Sequence, residues 1–350
     1  MLSTLRRLLL GVALIVVASV VLLLSDWTRR TYSSRGIPHI GLLQHASTLL
    51  LDEGVRGMVD SLAENGFVDG KTAIITKYNA EGDIALANSI AKEMVNAHYD
   101  LLLTCSTLSL QTVANANRGG KTVQVFGLVA DPAVAGVGIS HDRPLDHPRN
   151  LVGIGSFVPV EDSFRIAREM FPGLKTVGVA WNPAEANSRA FTEHARIACQ
   201  AMGIELLETN VENSNGVQEA EDSLAARGAQ ALWIGGDVSV NVAVDSVIAV
   251  ARKARIPVFT ITPGKPDRGT LFDSGADFYQ IGRQTGTLAA QILRGADPAQ
   301  IRITNLVPKV LVVNALAVRG LKDPWRVPDD VLRQADVVVD QAGVHTRKAR

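Results

Sequence analysis

Tyr99-Asp100-Leu101-Leu102-Leu103-Thr104 is a short run whose centre is apolar at every position, with no alternation of polar and apolar residues. A strand with one wet face alternates, whereas a strand covered on both faces does not. The run therefore reads as the middle strand of a parallel sheet clothed by helices on both sides. Its neighbours agree. Upstream, Pro38-His39-Ile40-Gly41-Leu42-Leu43 and Thr72 to Tyr78 read as strands, and the helices Asp52–Asn65 and Asp83–Ala97 alternate with them. In the first of these helices Val55, Met58, Val59 and Leu62 share one face, and Gly66 supplies the stop. Downstream come a helix from Leu110 to Asn117 and a strand from Thr122 to Phe126. The order is βαβαβαβ, which folds as a parallel sheet between helices.

The same order then recurs. Strands are expected at Thr176–Ala180, Ile204–Thr209, Ala231–Ile234 and Pro257–Thr260, with helices at Ser188–Met202, Val217–Arg227 and Val244–Ala254. The spacing from Gly41 to Gly66 equals that from Gly178 to Gly203. A repeat this long is two lobes of like architecture, not a solenoid. One large doubly wound sheet is the alternative, but each half supplies its own strands. A chain of 350 residues, 47% of them apolar, can build both cores. Crossings between lobes are expected at Val152–Phe157, Leu271–Gly275 and Ile303–Pro308. After the second crossing a helix is expected at Gln284–Leu293, and after the third a strand at Lys309–Val313.

Residues 1–36 stand apart. Leu8 to Leu24 is an unbroken apolar run behind Arg6 and Arg7, followed by Asp26, Trp27 and the Arg29-Arg30 pair. It is longer than a typical signal core and lacks a small-x-small cleavage site, so it reads as an N-terminal anchor helix in the inner membrane, with the body in the periplasm. A cleaved signal peptide and a free periplasmic body is the alternative.

Charge excludes one class of partner. The 35 basic and 35 acidic residues cancel, so no global field recruits nucleic acid. The two cysteines, Cys105 and Cys199, have neither disulfide-framework nor zinc spacing. Phosphate loops, dinucleotide fingerprints, His-Glu-x-x-His and Gly-x-Ser-x-Gly are absent, so no cofactor and no enzyme activity are expected. The loop with His141, Asp142, Asp146 and His147 could be a metal site, but its prolines favour a solvated connector. Cys105 beside Ser106 and Thr107 could be a nucleophile, with only His45 placed to assist.

Ligands of open parallel sheets bind beyond the carboxyl ends of the strands. Those ends carry Gln44, His45, Ser106, Thr107 and Asp131 in the first half, and Asn182, Glu185, Asn187, Ser188 and Asp237 in the second, with Asp273 at a crossing. Asn187 and Ser188 are also ordinary helix caps, and Asp131-Pro132 an ordinary turn. Glu185, Asp237 and Asp273 are candidates to meet an ammonium, and the helix start after Asn187 could receive a carboxylate.

Several segments together resemble the substrate-binding proteins of ABC transporters with the type I periplasmic-binding-protein fold, in the branch with tryptophan- and tyrosine-binding members. They include Ile40-Gly41-Leu42-Leu43-Gln44, Asn79-Ala80-Glu81-Gly82-Asp83, Asp131-Pro132-Ala133-Val134-Ala135-Gly136, and Asn182-Pro183-Ala184-Glu185-Ala186-Asn187-Ser188. Phe278-Tyr279-Gln280-Ile281-Gly282-Arg283-Gln284-Thr285-Gly286 and Val312-Val313-Asn314 complete the set. The resemblance spans Ile37 to Leu321 and implies an α/β fold of two Rossmann-like lobes joined by a multi-crossing hinge. The expected division is 1–36 anchor and linker, 37–152 lobe one, 153–271 lobe two, 272–307 return to lobe one, 308–321 return to lobe two, and 322–350 a C-terminal extension. It also implies permease and ATPase subunits as partners and a small molecule, such as an aromatic amino acid, as ligand. Val238 after Asp237 and Phe272-Asp273 at the second crossing depart from the family pattern and leave the ligand open. A sensor module reporting to a membrane signalling partner is the other function compatible with such a chain. A repressor role would need a helix-turn-helix where the hydrophobic segment stands.

Overall fold

The computed structural model describes residues 36–347. The expected anchor run, Leu8–Leu24, lies outside them. No helix among the described residues is long and apolar enough to cross a membrane.

Two sheets organise the chain. The first has six strands in the order β11-β5-β4-β3-β1-β2, all parallel. Its members are β1 (His39–Gln44), β2 (Ile74–Asn79), β3 (Leu101–Cys105), β4 (Val123–Val129), β5 (Leu151–Gly155) and β11 (Thr304–Asn305). Helices α1 (Leu49–Glu64), α2 (Ile84–Asn96) and α3 (Thr107–Ala116) connect the first four. Leu101, Leu102 and Leu103 are completely buried, as an apolar centre covered on both faces requires.

The second sheet has eight strands in the order β14-β13-β12-β10-β9-β8-β6-β7. After α4 (Val160–Met170) come β6 (Thr176–Trp181), α5 (Ala186–Met202), β7 (Glu205–Asn210), α6 (Val217–Ala226), β8 (Ala231–Ile234), α7 (Val238–Val242), α8 (Val244–Ala254), β9 (Val258–Thr260) and β10 (Phe272–Ala276). Helix α9 (Phe278–Leu293) then returns to the first sheet, ahead of β11. The chain ends in the second sheet with β12 (Lys309–Asn314), α10 (Asp329–Gln334), β13 (Val337–Asp340) and β14 (Gly343–Thr346). β10 pairs antiparallel with β12, and β13 with β14, while the rest of the sheet is parallel. Trp233, Phe164, Phe259 and Phe272 form a buried aromatic column through this lobe, with ring centroids 5.1 to 5.6 Å apart.

The crossings expected at Val152–Phe157 and Leu271–Gly275 overlap β5 (Leu151–Gly155) of the first sheet and β10 (Phe272–Ala276) of the second. The three crossings lie beside one another. Asn305 Oδ1 accepts the Phe157 amide at 2.6 Å and its Nδ2 donates back to the Phe157 carbonyl at 3.2 Å. The Asp277 amide donates to the Pro308 carbonyl at 2.8 Å.

Helix α9 is locked onto the first lobe by a glycine-lined crossing with α1. A Cβ on Gly282 would strike the Gly54 carbonyl, one on Gly57 the Tyr279 carbonyl, and one on Gly286 the Met58 carbonyl. The contact is completed by Arg283, whose fork reaches both Glu64 oxygens at 2.7 Å, and by Tyr279, whose hydroxyl donates to Asp60 at 2.9 Å. This close approach accounts for Tyr279, Gly282, Arg283 and Gly286 of the Phe278–Gly286 motif.

Candidate functional site

The carboxyl ends of both parallel arrays face one cavity. It is lined by Thr48, Leu50, Leu51, Ser106, Thr107, Leu128 and Ala130 from the first lobe and by Asn187, Phe191, Gly236, Asp237, Val238, Asn241, Ile261 and Thr262 from the second. Ser156, Val158 and Phe278, from the crossings, close the side. Its volume is about 50 Å³, so the two walls are nearly in contact.

Helix starts converge here: Thr48 caps α1, Ser106 caps α3, Asn187 lies in the first turn of α5, Asp237 caps α7 and Phe278 opens α9. Each start carries a partial positive charge, but at α7 the Val238 and Ser239 amides are taken by Glu185 and the Val240 amide by Asp237. Among the described residues, no lysine or arginine lines the cavity. Ser106 is held at φ 120°, a left-handed conformation that a side chain rarely adopts, while its Oγ accepts the Ser109 amide at 3.1 Å.

Behind the second-lobe wall lies a dense polar network. Both oxygens of Asp237 are engaged: Oδ1 by the Val240 amide at 2.9 Å, Oδ2 by the Asn182 amide at 2.6 Å and the Ser188 hydroxyl at 2.5 Å. Burial, with the Glu185 carboxylate nearby, pushes the Asp237 carboxyl up to about 7 despite these donors. Glu185 Oε2 accepts the Val238 amide at 2.8 Å and Asn187 Nδ2 at 3.3 Å; its Oε1 accepts the Ser239 amide at 3.0 Å and hydroxyl at 2.7 Å. Asn182 Nδ2 donates to Ser239 Oγ and to the Glu212 carbonyl.

Of the residues expected at the site, Ser106, Thr107, Asn187 and Asp237 line the cavity. Asn182, Glu185 and Ser188 stand behind the wall and shape it. Glu185 has its acceptor positions filled by protein donors, so the ammonium contact expected of it has no vacant oxygen. Gln44 donates to Asp52 Oδ1 at 2.8 Å and to the Ala46 carbonyl, tying the loop before α1. His45 is buried with its Nδ1 unpartnered, and burial lowers its pKa against the opposing pull of Glu185 and Asp83. Asp131 accepts the Ala133 amide at 2.9 Å in its own turn and faces a different cavity, beside His141 and His194. Asp273 lies in β10 opposite Thr260 and accepts the Gly264 amide at 3.2 Å, away from the cavity.

Some lining residues were not singled out from the sequence. Thr48, Phe191 and Asn241 fall within helices or their caps, where nothing distinguishes a cavity-facing residue from a structural one. Asn241 reaches the cavity because α7 inserts a single short helix after Asp237, and its amide bridges the Gly235 and Asp237 carbonyls while Oδ1 accepts Thr262 at 2.7 Å.

The alternatives raised for Cys105 and the histidine loop take definite form. Cys105 is fully buried, its thiol directed at the Leu51 carbonyl at 3.7 Å, and burial raises its pKa steeply. Such a thiol is inert. Both ring nitrogens of His147 lie against carbonyl oxygens, those of Pro148 and Ile301, and His141 pairs only with Asp142.

Residues 39–339 match the family described as ABC transporter substrate binding protein. A tyrosine-binding protein from Clostridioides difficile is 26% identical over 283 residues, 81% of this chain and 80% of the relative. A Streptococcus pneumoniae ABC domain in complex with L-Trp aligns with a TM-score of 0.80 at 23% identity, covering 86% of this chain and 99% of the other. A ligand-free, open substrate-binding protein with adhesive properties from Clostridium difficile aligns at 0.61 with 27% identity, covering 82% and 95%.

Proposed function

The chain belongs to the ABC transporter substrate binding protein family, and on that premise we propose that it is the extracytoplasmic solute-binding component of an ABC importer, closing its lobes on a small amino acid-like molecule without transforming it. The observation that carries the reading is the cavity itself. It combines helix starts that suit a carboxylate, apolar walls at Leu50, Leu51, Leu128, Phe191 and Phe278, and one vacant acceptor, Asn187 Oδ1, that suits a donor such as an ammonium. An aromatic amino acid is the favoured ligand, given the relatives named for tyrosine and the L-Trp complex.

A space of about 50 Å³ is far below the few hundred Å³ typical of a ligand site, so entry requires the lobes to part. The higher TM-score against the ligand-bound relative than against the open one supports a closed arrangement here. Binding energy then offsets the cost of closing. The run Leu8–Leu24 is read as the anchor holding the body at the inner membrane near the permease and ATPase subunits.

The test is isothermal calorimetry of the purified protein against a panel of amino acids, sugars and nucleosides, with small-angle scattering of the best ligand. Saturable binding of an amino acid with a fall in radius of gyration is expected. Binding only of neutral sugars, or none with an amino acid, overturns the reading.

A further inference from the structure

A second and larger cavity, about 360 Å³, lies at the opposite end of the second sheet's parallel strands from the cleft. It opens at the amino end of β9, where Ile256, Pro257 and Val258 enter the sheet, while the cleft opens at the carboxyl ends. Three guanidinium groups from two segments surround it: Arg252 from the last turn of α8 with Arg255, its C-cap, and Arg319 from the turn after β12. Among the described residues, no carboxylate lines it.

The arginines are not idle by accident of geometry. Arg255 is fixed in a left-handed backbone conformation at φ 58°, and its Nε donates to the Gly320 carbonyl at 2.8 Å. That bond orients the fork, and neither terminal nitrogen has a partner among the described residues. Arg252 packs over Gly269, whose φ of 123° excludes a side chain there. Neither Arg252 nor Arg319 has a hydrogen-bond or ion-pair partner among the described residues. A favourable interaction with the α8 dipole accounts for Arg252 but not for the other two. Three like charges around one concavity repel each other, and a bound polyanion relieves that repulsion. The forks suit bidentate contact with phosphate oxygens, and Ile248, Val258 and Leu321 supply an apolar floor.

We propose that this cavity is a second binding site, for a phosphate monoester attached to an apolar body. The phosphate could come from a soluble metabolite or from a lipid headgroup, and the two sources separate experimentally. Calorimetry of the full chain at fixed ionic strength uses phenyl phosphate as the soluble probe. Co-sedimentation uses phosphatidylcholine vesicles with and without phosphatidic acid. The expected result is saturable, one-to-one binding of phenyl phosphate, weakened at least tenfold in R252Q/R319Q with an unchanged melting temperature. A phosphatidic-acid-dependent gain in vesicle binding that the same variant loses, without phenyl phosphate binding, assigns the site to a lipid headgroup. The proposal is overturned if neither probe binds, or if binding is the same in R252Q/R319Q as in the wild type.

Discussion

Glu185 and Ser239 are joined twice: one carboxylate oxygen, Oε1, accepts both the Ser239 amide at 3.0 Å and the Ser239 hydroxyl at 2.7 Å. The loop between β8 and α7 is thereby stapled to the loop between β6 and α5. Gly236, Asp237, Val238 and Asn241 line the second-lobe wall of the cleft, and Glu185 holds that wall from behind. Glu185→Gln keeps the shape but replaces one accepting oxygen with a donor that faces amides. We expect a loss of about 1–3 kcal/mol in unfolding free energy, read by urea titration. Calorimetry with the best ligand should show a smaller change than the 2–5 kcal/mol that loss of a direct charge partner produces. A large affinity loss at unchanged stability would contradict this assignment.

Glu221 of α6 is fully buried, with the Ala180 backbone amide as the one group that favours its ionised form. Burial pushes its carboxyl up to about 8 from the ordinary 4.5. The folded state therefore holds a proton that the unfolded state releases at lower pH. The sign follows: stability is full below about 4.5 and declines as pH rises toward about 8, by about 1.4 kcal/mol per pH unit in that window. Glu221→Gln removes the proton from the balance. Urea unfolding at pH 5 and pH 8 should give a smaller difference in the variant than in the wild type. Equal pH dependence would show that another group carries it.

His45 follows the base's version of the same rule. Burial lowers its pKa below 6.5, with the carboxylates of Glu185 and Asp83 and the Gly82 carbonyl opposing that shift. Stability of the folded chain from this group is fully present above 6.5 and is lost as pH falls through the lowered value. Burial outweighs the attraction of Glu185, so the cost of charging the imidazole falls on the folded state. Unfolding free energy should drop between pH 7 and pH 5, and His45→Gln should lose part of that drop. Because Asp237 also titrates in this range, at about 7, the measurement is the difference between the two proteins' pH profiles of unfolding free energy.

The two repeated βα halves were legible because each strand carries its own signal. The triple Leu at 101–103 and the helix stops at Gly66 and Gly203 depend on nothing outside a short window. Residues 272–276 and 337–340 were not, since Phe-Asp-Ser-Gly-Ala shows no alternation and each strand is completed by a partner distant in the chain. Helix α4 was missed although Pro159, Glu161 and Asp162 give an ordinary start and Phe164, Ala167 and Met170 one buried face. At the site, the sequence indicated which loops meet but not which side of each loop faces the ligand. Asn187 and Ser188 are adjacent, yet one lines the cavity and the other bonds Asp237 behind it. A helix rotates successive residues by roughly 100°, so orientation follows from where the helix axis lies.

Asn187 offers the sharpest test of the ligand's chemistry. Its Nδ2 donates to the Gly236 carbonyl at 2.7 Å and to Glu185 at 3.3 Å, which fixes the amide plane and turns Oδ1 away from both. That oxygen is buried and has no partner, on a residue that lines the cavity. A buried acceptor left unmet costs about 1–3 kcal/mol, so a ligand that brings a donor recovers this free energy on binding. An α-ammonium group fits, since it carries three donors and the neighbouring Glu185 and Asp237 carboxyls favour positive charge. Removing the amine from the ligand and the acceptor from the protein should therefore remove the same interaction. We expect the deaminated analogue of the best amino acid ligand to bind the wild type roughly tenfold to a hundredfold more weakly. Asn187→Ala should weaken the parent amino acid by a similar factor while hardly changing affinity for the analogue. A double-mutant-cycle treatment of the four titrations isolates the coupling from any general loosening of the loop. Equal losses for both ligands would mean that Asn187 only holds the wall in place. Equal wild-type affinity for ligand and analogue would remove the ammonium from the site altogether.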